Sequence, residues 1–509
     1  MTVQAVEPST PGYAIAVSPG APRQQLLAEE RSLKPTWVVY ACVFTAMLEA
    51  FHYGWSSSQI NFSKFNNTEE CNARPVEEGT CLMFPGHTKA TWMLLVNAWI
   101  VGGMVGSLVS GSVSNKFGRR QALRYNTVTM VLACIIEVVA PNAAWFTVGR
   151  FVAGVANGIA MAVVNVYFSE ISTPHNRHAL GINTHLAATL GIFGVATTFW
   201  YWDTTAGFRW IAGMPILNAI GFLLLSYTVM VESPVWLVTK GKEAEAEKEL
   251  ARLYGKHNVE SLMSWIQAND RRSKLPSTVS GGDATEVASD SVWTILTSSK
   301  FRRQVLIAFG LTCVNQLVGI NAVFFYSSSI MKSAGLTDTR AGLMIIDILN
   351  VIPVPIASML SKTLRKRTML LSGIFVMVLC ALGMTFSLIY DIGWLSIVFL
   401  GVFVVGYDLS IGPLLWPMIG ELFPDSARGN AVGLCVMLKW FCALIIGIGF
   451  PYLQEAITDY SFTPFLATCS LSLVFIYFIV PETSDLTIAE IQNGFQGRGS
   501  VEASAKSQQ

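Results

Sequence analysis

The sequence predicts an all-α membrane protein of twelve transmembrane helices in two pseudo-symmetric six-helix halves, with a small helical segment on the cytoplasmic side. Three observations predict it. The chain of 509 residues is 52% hydrophobic and only 13% charged, whereas soluble domains carry about 25% charged residues. Its apolar residues gather into twelve runs, most of which approach the roughly 20 residues needed to cross a bilayer. Small charged signatures also recur at a nearly constant offset of about half the chain, as duplicated halves would give.

The runs lie at 36–58, 92–113, 122–140, 145–169, 181–201, 209–230, 304–328, 341–361, 369–390, 394–418, 430–451 and 463–480. Residues 1–35 form a polar, Pro-rich tail without an early apolar core, so no cleavable signal peptide is expected. The first half then covers 36–235, a linker 236–303, the second half 304–480 and a short polar tail 481–509. Basic residues set the orientation. Lys116, Arg119 and Arg120 follow the second run, Lys362, Arg365, Lys366 and Arg367 the eighth, and many more lie in the linker, while the connections after runs three, nine and eleven have none. Both termini are therefore expected in the cytoplasm.

The loop 59–91 is then extracellular or lumenal. It holds Cys71 and Cys81, a candidate disulfide in that compartment, and two glycosylation sequons. Asn66 is the better acceptor, because Asn61 lies close to the membrane. In the linker, 241–254 and 259–272 read as short amphipathic helices with charged faces. They are either part of a solvated tether or a bracket that docks on the bundle. Ser273 to Ser291 is Ser-, Thr-, Gly- and Asp-rich and expected to be mobile.

The seventh run contains Asn315, Gln316 and Asn321. Unpaired amides in hydrocarbon cost several kcal/mol each, so they must face protein or a watery cavity. On an ideal helix Gln316 and Asn321 point about 140° apart. A break near Gly319 turns both toward one cavity. Glu49, His52, Glu137, Asp347, Asp408 and Lys439 also lie within runs, each costing roughly 2.5–3.5 kcal/mol at the midplane without a partner. Lys439 reads either as an ion-pair partner of Asp408 or Asp347, or as a cationic cavity contact that would favour an anionic substrate.

The repeat pairs Glu170 and Arg177 with Glu421 and Arg428, Gly118-Arg119-Arg120 with Arg365-Lys366-Arg367, and Glu232-Ser233 with Glu482-Thr483. Parallel duplicated halves enclosing a midplane site describe a secondary transporter. Glu170 and Glu421 are expected to pair with Arg119, Arg120, Arg150, Arg177 and Arg428, as a latch on the cytoplasmic side. A net charge of +1 argues against a nucleic-acid partner. No catalytic Ser/His/Asp set, phosphate loop or metal-ligand spacing stands out, so neither an enzyme nor a cofactor or metal is expected.

These residues bear a resemblance. Gly111-x3-Asn115-Lys116-x-Gly118-Arg119-Arg120, Gly149-Arg150-Phe151, Tyr167-x-x-Glu170-Ile171, Glu232-Ser233-Pro234, Gln316-Leu317-x-Gly319-Ile320-Asn321, Gly412-Pro413-x-x-Trp416 and Pro481-Glu482-Thr483 together resemble the facilitative hexose transporters. These are the sugar-porter branch of the major facilitator superfamily. The resemblance spans all twelve runs and implies alternating access around a sugar. It implies sugar ligands at Gln316, Asn321 and Asn350, with Trp416 and Trp440 beside the ring, and gate aromatics at Phe325 and Tyr326. Amides match vicinal hydroxyls because both donate and accept.

The chain also departs from the family. His185 and Asn315 stand where it has glutamines, Asp408 stands for a glutamate, and Lys439 and Ala443 stand for asparagines. Arg365 replaces the usual glycine of the second basic motif. Proton-coupled relatives carry an acid at the position of Ser56, so the hydroxyl there implies passive uniport, although Glu49 with His52 raises proton coupling. A non-transporting nutrient sensor is disfavoured by the short tail. The expected partners are a sugar-like small molecule and the lipid bilayer, the state a monomer, and the location the plasma membrane.

Overall fold

The computed structural model describes residues 33–62, 65, 71, 73, 75–77, 81–274, 292–323, 339–484, 490–491 and 494–495. Among the described residues, each of the twelve predicted runs coincides with a helix. They are α1 Trp37–Ser58, α2 Lys89–Phe117, α3 Arg119–Val139, α4 Ala143–Ile171, α5 Ala179–Thr198, α6 Gly207–Thr228, α7 Arg302–Val323, α8 Arg340–Leu360, α9 Lys366–Ile389, α10 Gly393–Leu422, α11 Asp425–Ile457 and α12 Thr463–Phe478. Ten are long and apolar enough to span a bilayer; α1 holds Glu49, His52 and a run of serines, and α12 has 16 residues. Helices suit lipid because each closes its own backbone hydrogen bonds. The starts are capped by side chains: Thr36 accepts from Val38 N, Thr88 from Thr91 N and Asn142 from Trp145 N. Large apolar side chains such as Leu108, Val128, Leu217, Leu224, Phe375 and Leu471 are exposed along the outer faces, as a lipid-facing belt requires.

In the first half α4 is central, packing against α1, α2 and α3. In the second, α9 packs on α10 and α12, and α7 on α11 and α12. The halves meet along two seams, α2 on α11 and α5 on α8.

One end of the bundle carries the basic connections and the other the disulfide. At the basic end, helices Pro234–Thr239, Glu243–Tyr254 and Val259–Lys274 form a bracket. It is docked rather than free. Ala246, Leu250, Leu253, Leu262, Met263 and Ile266 are buried in the core of the first half, and Val259–Lys274 also touches α11. The Tyr254 hydroxyl donates to Ile171 O at 2.8 Å and accepts from Thr173 N at 3.1 Å, clamping the bracket to the end of α4. Burial pushes the pKa of that hydroxyl up, so it stays a donor. The Ser/Thr-rich stretch expected to be mobile falls mostly outside the described residues.

At the other end Cys71 and Cys81 are bridged, with Cα atoms 5.0 Å apart. Phe62 stacks on Phe199 at 4.9 Å, fixing the start of the loop to α5. Asn61 is buried at 7% exposure. This corrects its candidacy as a glycan acceptor, because an N-linked sugar requires an accessible amide. Asn66 lies outside the described residues. Two ion pairs join the halves here: Lys89 with Glu455, and Arg340 with Asp203 at 3.4 Å.

Tyr254→Phe strands one buried carbonyl and one N–H, so it is expected to destabilise the fold by about 1–3 kcal/mol. The unfolding midpoint in detergent checks this. An unchanged midpoint would place the bracket's anchorage in its apolar contacts alone.

Candidate functional site

The regular part of α7 ends at Leu317, and the chain turns at Gly319, where φ is +100°. Only glycine takes this conformation without strain. A Cβ there would also lie 2.6 Å from the Phe465 ring. The turn falls where the sequence predicts a break, and it brings the α7 amides into one hydrogen-bonded chain. Asn321 donates to Gln316 Oε1, Gln316 donates to Asn315 Oδ1 at 2.6 Å, and Asn315 donates to the Tyr407 hydroxyl at 2.9 Å and Ile411 O at 3.3 Å. Gln316 and Asn315 are buried, while Asn321 is half-buried.

The chain ends on α10, which is itself interrupted at Leu409 and Ser410. Beside that interruption, Asp408 Oδ1 lies 2.8 Å from His185 Nε2. With its amide nitrogen facing the carboxylate, Asn350 donates to Asp408 Oδ2 at 2.8 Å. Asp408 and Asn350 are fully buried. His185 belongs to α5, so this pair links the two halves. Two hydrogen-bonding partners are what low-dielectric surroundings demand of a buried carboxyl group.

Around Lys439, Trp416 and Trp440 gather with two aromatics that the sequence reading missed, Tyr53 and Trp99. The ring centroids of Trp99 and Trp440 are 4.7 Å apart, and each lies 5.7 Å from Tyr53. Trp440 crosses the α2–α11 seam by lying on Gly103, where a Cβ would meet its indole at 2.3 Å. Lys439 Nζ sits 5.0 Å from the Tyr53 centroid and 5.6 Å from that of Trp416. It makes no ion pair with Asp408 or Asp347; Asp408 is taken by His185 and Asn350. On the basic side of Trp416 a small cavity between the halves is lined by Asn165, Ser169, Arg177, Gly420, Arg428 and Val432.

The buried charges of the first half have local partners. Glu49 accepts from Asn126 at 2.8 Å and Thr127 at 2.6 Å. Glu137 accepts from Gln59 at 2.7 Å, and His52 meets Asn157 at 2.9 Å. Arg150 donates to Ser56 O at 2.6 Å and lies 5.1 Å from the Trp99 centroid. It is therefore no part of the expected latch: α4 places it toward the disulfide end, far along the helix from Glu170.

The basic-end network is built twice. Arg119 Nη2 donates to Glu170 Oε1 at 2.8 Å, and Lys366 Nζ to Glu421 at 2.6 Å. Glu232 accepts from the backbone N–H groups of Arg119 (2.8 Å) and Arg120 (3.1 Å), as Glu482 does from that of Arg367 (3.3 Å). Burial raises the Glu232 pKa against those donors. Arg177 donates to Ser169 O and Arg428 to Gly420 O, each eight residues back. Each of these bonds stays within one half. These bonds brace each half internally. Phe325 and Tyr326 lie outside the described residues.

Gln316→Leu strands Asn321 Nδ2 and Asn315 Oδ1. It is expected to raise the Kd of any ligand that uses this wall by about tenfold, matching the roughly 1–3 kcal/mol of a lost buried partner. Gly319→Ala is expected to lower the yield of folded protein. Phe465→Ala restores it only in part, because the overlap is relieved but the positive φ is not. Ligand-induced quenching of the site tryptophans and monodisperse yield in detergent are the measurements.

Residues 38–495 match the family model described as "Sugar (and other) transporter". The glucose transporter GlcP of Staphylococcus epidermidis is 30% identical over 407 residues, covering 78% of this chain and 87% of that protein. Human solute carrier family 2, facilitated glucose transporter member 4, is 29% identical over 478 residues, covering 90% and 91%. The major facilitator proton:xylose symporter XylE, solved with 6-bromo-6-deoxy-D-glucose, superposes with a TM-score of 0.76 at 20% identity, over 90% of this chain and 99% of that one. Its inward-open form from E. coli gives 0.68. These twelve helices thus have the major facilitator fold, and the chain belongs to the sugar (and other) transporter family.

Proposed function

We propose that the chain moves a hexose or a related polyhydroxylated molecule across a membrane by alternating access, as a monomeric uniporter. The observation that carries this reading is the Asn321–Gln316–Asn315 amide chain at the α7 turn, running to the α10 interruption. Amides already bonded to one another exchange those bonds for sugar hydroxyls at small net cost, since each neutral bond contributes only about 0.5–1.5 kcal/mol. Weak, exchangeable contacts suit a site that must release its cargo. The seams α2–α11 and α5–α8 supply the surfaces on which the halves rock. The glucose-transporting relatives support the substrate class, and Ser56 at the coupling position supports passive transport. The basic end is assigned to the cytoplasm, the membrane to the plasma membrane, and Asn66 to the glycan.

A second reading, proton symport, is favoured by the buried His185–Asp408 pair between the halves, where a proton would alter the link that joins them.

In proteoliposomes, labelled glucose is expected to equilibrate without accumulating, and a protonophore to leave uptake unchanged. Accumulation above the outside concentration, collapsed by the protonophore, would select symport. Absence of uptake, exchange and binding would sink the transport reading itself. Glycosidase treatment of protein made in a eukaryotic host is expected to lower its mass, and Asn66→Gln to abolish that shift.

A further inference from the structure

We propose that the cargo bears a carboxylate, that is, a sugar acid, and that Lys439 recognises it. This rests on the reading of the chain as a carrier of polyhydroxylated molecules and narrows it. Lys439 lies between aromatic faces contributed by both halves, Tyr53 of α1 and Trp416 of α10. It makes no ion pair among the described residues. Among the acids within the spanning helices, Asp408 is engaged by His185 and Asn350, Glu49 by Asn126 and Thr127, and Glu137 by Gln59, while Asp347 forms no ion pair with Lys439. Cation–π contacts with two rings compensate an ammonium in a bilayer only in part. An anion supplied by the cargo completes the compensation.

The surroundings have the matching polarity. The indole N–H groups of Trp99 and Trp440 are buried without an acceptor, at 2% and 3% exposure. Their rings pack on each other and on Tyr53, which carries Lys439 over its face. Ammonium and indole N–H groups are donors only, and an ionised carboxylate accepts only. A neutral sugar can satisfy an indole but leaves the ammonium without a counter-charge. A single cation fits a monoanion, whereas a phosphomonoester brings nearly two charges. The amide chain of α7 remains for the hydroxyls, which need both donors and acceptors. A family member that uses an amide where this chain has Lys439 lacks such a cation.

The experiment is competition and uptake with the full-length protein in proteoliposomes, using glucuronate, glucose and glucose 1-phosphate. Glucuronate is expected to compete at least tenfold better than glucose, and glucose 1-phosphate no better than glucose. Lys439→Gln is expected to lower the ratio of glucuronate to glucose uptake at least tenfold, and Lys439→Arg to keep most of it. Transport of glucose with no preference for glucuronate in the unaltered protein overturns the proposal and leaves the sugar-carrier reading standing; transport of neither overturns both. Should Lys439→Gln unfold the protein and Asp408→Asn restore it, Lys439 is the counter-ion of Asp408 and the proposal is also overturned.

Discussion

The structure depends on one constraint: a polar group inside the bilayer must find its partner within the chain, because no bulk water is there to replace it. The interruptions of α7 and α10 leave backbone groups without their helical partners. The same two places collect the amides, Tyr407 and Asp408, and Ile411 O accepts one of those amides. Broken helices and buried polar side chains are thus two aspects of one arrangement. The amides are tolerated because they bond to one another, to Tyr407 and, at Ile411 O, to the backbone beside the α10 interruption.

The duplication is visible in chemistry as well as in helix count. Arg119–Glu170 and Lys366–Glu421 occupy equivalent places, as do Arg177 over Ser169 O and Arg428 over Gly420 O. Such braces tie helix ends together inside each half, which favours halves that move as units. Links across the seam, such as His185–Asp408 and the Trp99–Trp440 contact, join the halves at mid-depth.

Much of this was legible in the sequence, for physical reasons. Apolar runs announce spans because lipid tolerates little else, and Asn315, Gln316 and Asn321 stood out because amides are costly there. The turn at Gly319 followed from the angle between two of them. Other features were not legible. His185 and Asp408 are 223 residues apart, and nothing local in either run names its partner. Tyr53 and Trp99 were overlooked because an aromatic in an apolar helix looks like packing until its neighbours are known. Arg150 was grouped with the basic helix ends by residue type, although its position along α4 sends it the other way. The Lys439 alternatives stayed open because charge alone cannot tell a partner from a ligand.

The two ion pairs at the disulfide end have a further consequence. Lys89 and Glu455 are 38% and 67% exposed, unlike the fully buried Asp408. At physiological ionic strength the Debye length is about 8 Å, and it shrinks as electrolyte is added. The bathing medium on that face therefore weakens the outer clasp while leaving the central one intact. Electrolyte on that side thus tunes the exposed tie between the halves separately from the buried one, quite apart from any cargo.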